Sequence, residues 1–404
     1  MSPVGEAVPE PLRDAPSAAI KVALPAALAA YARSPVRWRG GCQVTVLRDG
    51  HQTYPAMLAA IAQARTHIEL ETYILAADAI GDRFKAALLE RAGAGVTIRV
   101  IYDAVGSFGL PGAWVDELRA GGIEVLDWNP IAPWRRRFRL SHRDHRKILV
   151  IDAEIAFTGG LNLSRDYASI EDGGAGWHDL HCRVTGPIVL DLARMFRRTW
   201  LRADGTWYEP VPPAATARPG AGASFVRLLD NTLRRQRGTV RRTYLHVIRS
   251  ARRRVLIKNA YFLPDRGLRR ALATAARRGV DVRVMVPGRS DVRVIEWASL
   301  YVMRHLSRRG IKVYRWGGPM MHAKTAVIDG AWSTIGSYNF DAQSRFSNLE
   351  VTVEILDTDV GATLATGFEA DIDHCTPYNE AGWDQLPWYM KALAWLSYRL
   401  RRFL

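Results

Sequence analysis

Short apolar strands recur along the chain, and each is opened by a Gly-Val or Gly-Ile step that closes an amphipathic run. RAGAGVTIRVIYD and AGGIEVLDW carry the pattern in the first half, AARRGVDVRVMVPG and RRGIKVYRW in the second. Alternating Val and Ile at period two mark strands, and the 3.6-period runs before them mark helices, so helix-to-strand crossovers of an α/β layered domain are predicted. AQARTHIELETYI leads into the first pair and RSARRRVLIKNAYF into the second, in the same order. Strand and helix therefore alternate twice over, as an internal repeat requires.

The flanks read differently. Residues 1–40 are rich in Ala and Pro and predict a poorly ordered arm with a short helix around 26–33; Lys21 and Pro25 interrupt the apolar stretch, so neither a signal peptide nor a spanning helix is expected there. Residues 203–224, rich in Pro, Gly and Ala, predict a surface connector between a first half at 41–202 and a second at 225–380. Residues 381–404 combine Trp388, Trp395 and Phe403 with basic and Leu positions at helical spacing, the pattern of an amphipathic helix lying at a membrane interface.

The repeat also carries polar residues that packing does not require. HRKILVID and HAKTAVID both read His-x-Lys-x-x-x-x-Asp, with His145, Lys147 and Asp152 in one copy and His322, Lys324 and Asp329 in the other. Asn162 and Asn339 each follow their histidine by seventeen residues. In a strand, His and Lys two apart share a face. Asp152-Ala153 and Asp329-Gly330 predict two-residue hairpin turns, which would place Gly160 opposite His145 and Ser337 opposite His322. Asp152 and Asp329 are then turn-fixing groups.

The formal net charge is +16, which implies a partner with a dense negative surface, anionic lipid or nucleic acid. Cys42, Cys182 and Cys375 lie far apart and predict neither a disulfide framework nor a zinc site, in keeping with a reducing compartment.

Paired His, Lys and Asn suit a phosphodiester. A neutral imidazole attacks phosphorus, Lys and Asn donors hold the non-bridging oxygens, and a second imidazolium protonates the departing alkoxide. One half supplies one histidine and the chemistry needs two, so the repeats are expected to face each other, with His145 as nucleophile and His322 as acid. Lysine charge stands where a metal otherwise would, and neither metal nor cofactor is expected.

At these motifs the sequence resembles the phospholipase D superfamily, and most of all the bacterial cardiolipin synthases that lack N-terminal spanning helices. LRDGHQTYPAMLAAI, IELETYI, FTGGLN, NAYFLP and GSYNFDAQSRFSNLE carry that resemblance beyond the motifs. It implies two α/β/α-layered halves related by a pseudo-twofold axis with the site between them, and a double displacement through phosphohistidine. It also implies that Glu350 orients a catalytic histidine. In the first half the corresponding segment, WHDLHCRV, has Asp179 and His181 in place of Asn348 and Glu350.

The implied activity is phosphatidyl transfer that joins two phospholipids, with two phosphatidylglycerols as the expected pair, and releases glycerol; a phospholipase D-type hydrolase, another phosphatidyltransferase and a nuclease are the alternatives within the superfamily. PWRRRFRLSHRD, residues 133–144, is an insertion confined to the first half, and Trp134, Arg135, Arg136 and Arg137 are its candidate contacts with an anionic membrane. With Trp388 and Trp395 they predict peripheral association with the inner face of a bacterial cytoplasmic membrane and an anionic phospholipid as substrate; a nucleic-acid partner is not expected but stays open.

Overall fold

The computed structural model describes residues 23–34, 36–131, 142–203, 205–209, 222–231 and 238–401. A short helix, α1 (Ala26–Ala29), precedes the first half, which runs β1 (Arg39–Arg48), α2 (Asp49–Ala62), β2 (His67–Thr72), α3 (Ala79–Gly93), β3 (Thr97–Asp103), α4 (Gly112–Ala120), β4 (Glu124–Trp128), β5 (Ile148–Ile151), β6 (Ile155–Gly159), β7 (Leu180–Thr185) and α5 (Ile188–Arg202). The second half repeats this as β8 (Ser224–Asp230), α6 (Thr239–Ser250), β9 (Arg254–Asn259), α7 (Arg266–Arg277), β10 (Asp281–Pro287), α8 (Arg293–Ser307), β11 (Lys312–Trp316), β12 (Lys324–Ile328), β13 (Trp332–Gly336), α9 (Ala342–Phe346), β14 (Val351–Leu356) and α10 (Thr358–Ile372). It ends with β15 (Cys375–Pro377), α11 (Glu380–Asp384) and α12 (Trp388–Arg399).

The strands among the described residues form one sheet in the order β15-β11-β10-β9-β12-β13-β14-β8-β1-β7-β6-β5-β2-β3-β4. The pseudo-twofold axis passes between β8 and β1, which pair antiparallel. One apolar core spans the junction, with Cys42, Val150 and Val184 of the first half packed with Val226, Val327 and Val353 of the second. Helix α5 reaches across onto β8, and α10 reaches back onto β1.

The Gly-Val and Gly-Ile steps have a common geometry. Gly95, Gly122, Gly279 and Gly310 all have φ between 77° and 88°. In each case the next residue's N–H reaches back to close the helix: Val96 to the Arg91 carbonyl at 3.0 Å, Ile123 to Leu118 at 3.1 Å, Val280 to Ala275 at 3.2 Å and Ile311 to Leu306 at 3.3 Å. This is the Schellman end, in which glycine takes the left-handed position and the following apolar residue is buried. One dipeptide therefore both stops a helix and starts a parallel strand.

Two expectations need correction. The chain before β1 is docked from residue 23 onward: Leu24, Leu28 and Tyr31 pack on the second-half core, Trp38 is fully buried, and the Tyr31 hydroxyl donates to Asp329 at 2.8 Å. The hairpins also gain one residue. Ala331 N–H bonds the Ile328 carbonyl at 3.1 Å around Asp329 (φ 55°) and Gly330 (φ 72°), as an Asp-Gly turn should, but Ile328 pairs with Trp332. Ala331 is left as an extra residue. The first half does the same, with Ile151 paired to Ile155. The register is thus one residue away from the predicted one, and neither Ser337 with His322 nor Gly160 with His145 is a directly opposed pair.

Tail helix α12 packs along α8, burying Ala394, Ser397 and Tyr398, and Tyr398 joins the second-half core. Among the described residues no helix is long and apolar enough to cross a membrane. Trp134, Arg135, Arg136, Arg137 and Phe403 lie outside the described residues.

Candidate active site

The two motifs meet where the carboxyl ends of the parallel strands face the pseudo-twofold axis. Lys147 immediately precedes β5 and Lys324 opens β12, so each histidine sits just ahead of an antiparallel strand that enters the sheet beside β2 or β9. The rings of His145 and His322 are 6.4 Å apart, centroid to centroid, and both side chains are buried.

Each histidine is held by the opposite half. His145 N–H donates to the Leu349 carbonyl at 3.0 Å, and its Nδ1 lies 3.2 Å from Glu350 Oε2. His322 N–H donates to the His178 carbonyl at 2.7 Å, and its Nδ1 lies 2.8 Å from Asp179 Oδ2. With Nδ1–H given to a carboxylate, the lone pair of the neutral ring is left on Nε2.

The implied match of His181 to Glu350 is corrected by the strand registers. Gly159 pairs with His181 where Gly336 pairs with Thr352, so Asp179 is the counterpart of Glu350 and His181 that of Thr352. His181 is buried with its Nδ1 unpartnered, and burial pulls its pKa down to about 3. It holds neither motif histidine. The halves are more symmetric here than the matched segments implied.

The two carboxylates differ in surroundings. Glu350 accepts from Ser337 Oγ at 2.5 Å and Ser344 Oγ at 2.7 Å, and its buried carboxyl is pushed up to about 7. Asp179 is also opposed by burial, but Lys324 and His322 outweigh it and hold the carboxylate below the usual range. Gly160 makes room for it, since a Cβ there would stand 2.2 Å from Asp179 Oδ1. Ser337 occupies the matching place in the second half and uses it to bind Glu350.

Burial, then the neighbouring lysines, lowers both imidazoles, His145 well below its ordinary value and His322 to about 4. Lys147 falls to about 7 and Lys324 to about 8, chiefly through burial and against the attraction of Glu350 and Asp179. Each ammonium donates to the carbonyl of its own motif histidine, Lys147 to His145 at 2.7 Å and Lys324 to His322. Asn162 accepts from Ile74 N–H at 3.1 Å and donates to the Tyr167 hydroxyl at 2.7 Å. Asn339 accepts from Tyr261 N–H at 3.4 Å. The asparagines thus tie the loops after β2 and β9 to the site.

Asp152 and Asp329 stand away from the reacting groups. Asp152 accepts from the N–H groups of Arg65, Thr66 and His67, and Asp329 from those of Arg252, Arg253 and Arg254, so each hairpin is pinned to the start of β2 or β9.

Sequence reasoning assigned no role to several neighbours. Tyr73 packs against His145 at 5.0 Å, while Tyr167, Trp177 and Tyr261 surround His322 at 5.6, 5.8 and 6.2 Å. Tyr73 is the first residue after β2 and Tyr261 the second after β9, so an aromatic just past a parallel strand was the available signal. Arg146, between His145 and Lys147, is fully buried and ties the halves together through Glu71 at 3.6 Å and Asp230 at 2.7 Å. The Gly-rich segment 171–179 delivers Trp177, His178 and Asp179 to the site.

Residues 57–200 and 244–372 match the family described as cardiolipin synthase, PLD-like domain. The chain belongs to this family. It is 32% identical over 358 residues to the cardiolipin synthase of Geobacillus thermodenitrificans, a match covering 88% of this chain and 71% of that one. Cardiolipin synthase B of Salmonella typhi is 34% identical over 376 residues, covering 90% and 89%. Among solved structures, the phosphatidylserine synthase of Haemophilus influenzae superposes with a TM-score of 0.64 at 13% identity, over 91% of this chain and 97% of that one. A polyphosphate kinase from Porphyromonas gingivalis gives 0.56 at 16%, over 89% and 52%. At these identities the two structures establish a shared fold.

Proposed function

We propose that the protein is a phosphatidyltransferase of the cardiolipin synthase type, working through a covalent phosphohistidine. The observation that carries this reading is the pair of buried histidines 6.4 Å apart, each oriented by a carboxylate of the opposite half. In the first step Nε2 of neutral His145 attacks the phosphorus of a donor phosphatidylglycerol. The P–O bond to the headgroup glycerol breaks, and protonated His322 gives its Nε2 proton to the departing alkoxide. In the second step the primary hydroxyl of an acceptor phosphatidylglycerol gives its proton to His322 and attacks phosphorus. The P–N bond breaks and His145 is restored.

The two carboxylates support this division of roles. Asp179, held ionised, opposes the burial and the Lys324 charge that lower His322 and so favours that ring as the proton carrier, whereas Glu350, raised toward neutrality, favours His145 as the neutral nucleophile. Lys147 and Lys324 stabilise the charge that grows on the non-bridging oxygens.

Access to a bilayer substrate is assigned to peripheral binding. Trp388 is 79% exposed and Trp395 50%, on a helix whose other face is docked on α8. Large indole surfaces at this exposure suit headgroup depth, and the net charge of +16 favours an anionic leaflet. The purified protein with phosphatidylglycerol vesicles and EDTA is expected to yield cardiolipin and glycerol. Cleavage of DNA or RNA without lipid turnover would contradict the reading.

A further inference from the structure

A groove of about 750 Å³ opens beside His322 at the carboxyl ends of β10 and β11, the edge at which parallel sheets bind ligands. Its walls include the Gly288-Arg289-Ser290 loop, the Arg315-Trp316-Gly317-Gly318 loop and Trp177, and the Trp177 ring also lies 5.8 Å from the His322 ring. The groove and the reacting centre thus share a wall.

Two of its buried donors are left unsatisfied. The Arg315 guanidinium donates to the Gly288 carbonyl at 3.0 Å, while its Nε, although buried, has no partner. The indole N–H of Trp316 is likewise buried and unpartnered beneath the Gly317-Gly318 turn, where a Cβ on Gly318 would stand 3.0 Å from it. Among the described residues no carboxylate pairs with Arg289 or Arg315. Asp291, the acidic residue of the lining, is turned to Tyr261 and accepts its hydroxyl at 2.7 and 2.8 Å. Buried donors without acceptors, beside two arginines without counter-ions, are complementary to an anion.

The first half provides an internal control. By strand register Trp128 occupies the place of Trp316, each pairing with the last residue of its neighbouring strand. There the indole N–H donates to the His142 carbonyl at 2.8 Å, and Arg143 enters the space, its Nε 3.3 Å from Asp103 and its Nη2 donating to the Asn129 carbonyl at 2.8 Å. Arg143, which lies within the 133–144 insertion, is buried. In the first half Arg143 fills the space and the Trp128 indole is satisfied, although Arg143 Nε and Nη1 also lack hydrogen-bond partners; in the second half the space is an open groove and the Trp316 indole is unpartnered.

We infer that the open groove, with Arg289 and Arg315 as its anion contacts and the Trp316 N–H as a further donor, binds the unreacting phosphodiester of the acceptor lipid. The inference rests on the phosphatidyl-transfer reading above. An acceptor phosphatidylglycerol carries its own phosphate three carbons from the hydroxyl that reacts, and that hydroxyl must reach His322, the residue beside the groove. The donor phosphate sits between the histidines, so a second anion site is needed to hold acceptor and donor together. A water molecule or a simple alcohol has no phosphate and cannot use it.

The test sets two acceptors in competition. The full-length protein and its Arg289→Gln, Arg315→Gln and doubly substituted variants are given phosphatidylglycerol vesicles with ethanol, and the ratio of cardiolipin to phosphatidylethanol is measured. Loss of a charge-assisted contact is expected to lower that ratio about tenfold for Arg315→Gln and further in the double variant. Arg289 is exposed, so Arg289→Gln retains the fold and is expected to lower the ratio severalfold on its own. An unchanged ratio overturns the groove's role while leaving phosphatidyl transfer standing. Absence of both products from the unsubstituted protein contradicts the transfer reading, and the groove's role with it. Glycerol 3-phosphate serves as a soluble acceptor that presents the same anion without acyl chains. If only its use falls in the variants and that of phosphatidylglycerol does not, the groove serves free phosphoesters and the lipid assignment is overturned.

Discussion

Asp179 holds His322 across the boundary between the two halves of the chain, carboxylate oxygen to Nδ1 at 2.8 Å, and the backbone repeats the link one residue earlier, His322 N–H to the His178 carbonyl at 2.7 Å. Glu350 and Leu349 treat His145 the same way. Neither half owns a complete histidine site, so the duplication is used for more than doubling the catalytic groups.

Replacing Asp179 by Asn should therefore cost more than replacing Glu350 by Gln. The ionised partner of a general acid fixes both tautomer and charge, and its loss in comparable arrangements costs about a thousandfold or more in kcat. Steady-state turnover on phosphatidylglycerol vesicles checks this, and equal losses for the two variants would contradict the acid role of His322.

Gly160→Ala tests the same contact from behind. A Cβ 2.2 Å from Asp179 Oδ1 must displace the carboxylate, so turnover is expected to fall by at least an order of magnitude while a fully folded protein is retained by circular dichroism. Wild-type turnover in that variant would mean that Asp179 is free to move without consequence.

The pH profile should have an alkaline limit set by the lysines. Burial brings Lys147 to about 7 and Lys324 to about 8, so the free protein loses these positive charges as pH rises through that range, and kcat/KM falls with them. A bound phosphodiester favours the ammonium form, so kcat should hold to higher pH than kcat/KM. Coincident limits for the two parameters would argue against lysine contact with the substrate.

Asp329 should act on stability instead. Burial opposes its ionisation, but N–H groups of Arg254, Arg252 and Arg253 and the Tyr31 hydroxyl outweigh that and hold its pKa below the usual carboxylate range. A carboxyl depressed on folding stabilises the protein above its unfolded pKa, and that stability is lost as pH falls through the folded value. Asp329→Ala is expected to lower stability by about 2 kcal/mol at neutral pH, read by chemical denaturation.

Tail helix α12 has two separable faces. Trp388→Ala with Trp395→Ala should weaken vesicle binding without lowering Tm, because both rings are exposed, whereas Tyr398→Ala should lower Tm, because Tyr398 is 6% exposed and stacks on Tyr301 at 4.6 Å. Flotation with anionic vesicles and thermal melts separate the two. Truncating the whole tail would remove both functions at once.

Where the sequence was legible, a local rule governed the outcome. The Gly-Val steps announced helix ends because a Schellman turn is complete within a few residues, and the two motifs announced the histidines because their spacing is carried on single strands. The errors arose where geometry crossed between segments. Asp179 was matched to Asn348 because the segments Asp-Leu-His and Asn-Leu-Glu align locally, and spacing offered no check, since the connection from β6 to β7, residues 160–179, is six residues longer than that from β13 to β14, residues 337–350. The hairpin register slipped by one because Asp-Gly fixes the turn but does not reveal that Ala331 is left unpaired. Arg143 and Arg146 gave no sign that they would be buried, since their acidic partners Asp103, Glu71 and Asp230 lie 40 to 84 residues away in sequence.

The central claim is a covalent phosphohistidine at His145 with His322 as its acid and base. The most direct measurement uses His322→Ala with a water-soluble p-nitrophenyl phosphodiester, whose leaving group needs no acid while resolution of the adduct still needs a base. The account predicts a burst of one p-nitrophenolate per chain, followed by an adduct that peptide mass spectrometry under alkaline conditions places on His145. An adduct on His322 in the His145→Ala variant, with none on His145 in His322→Ala, would contradict it.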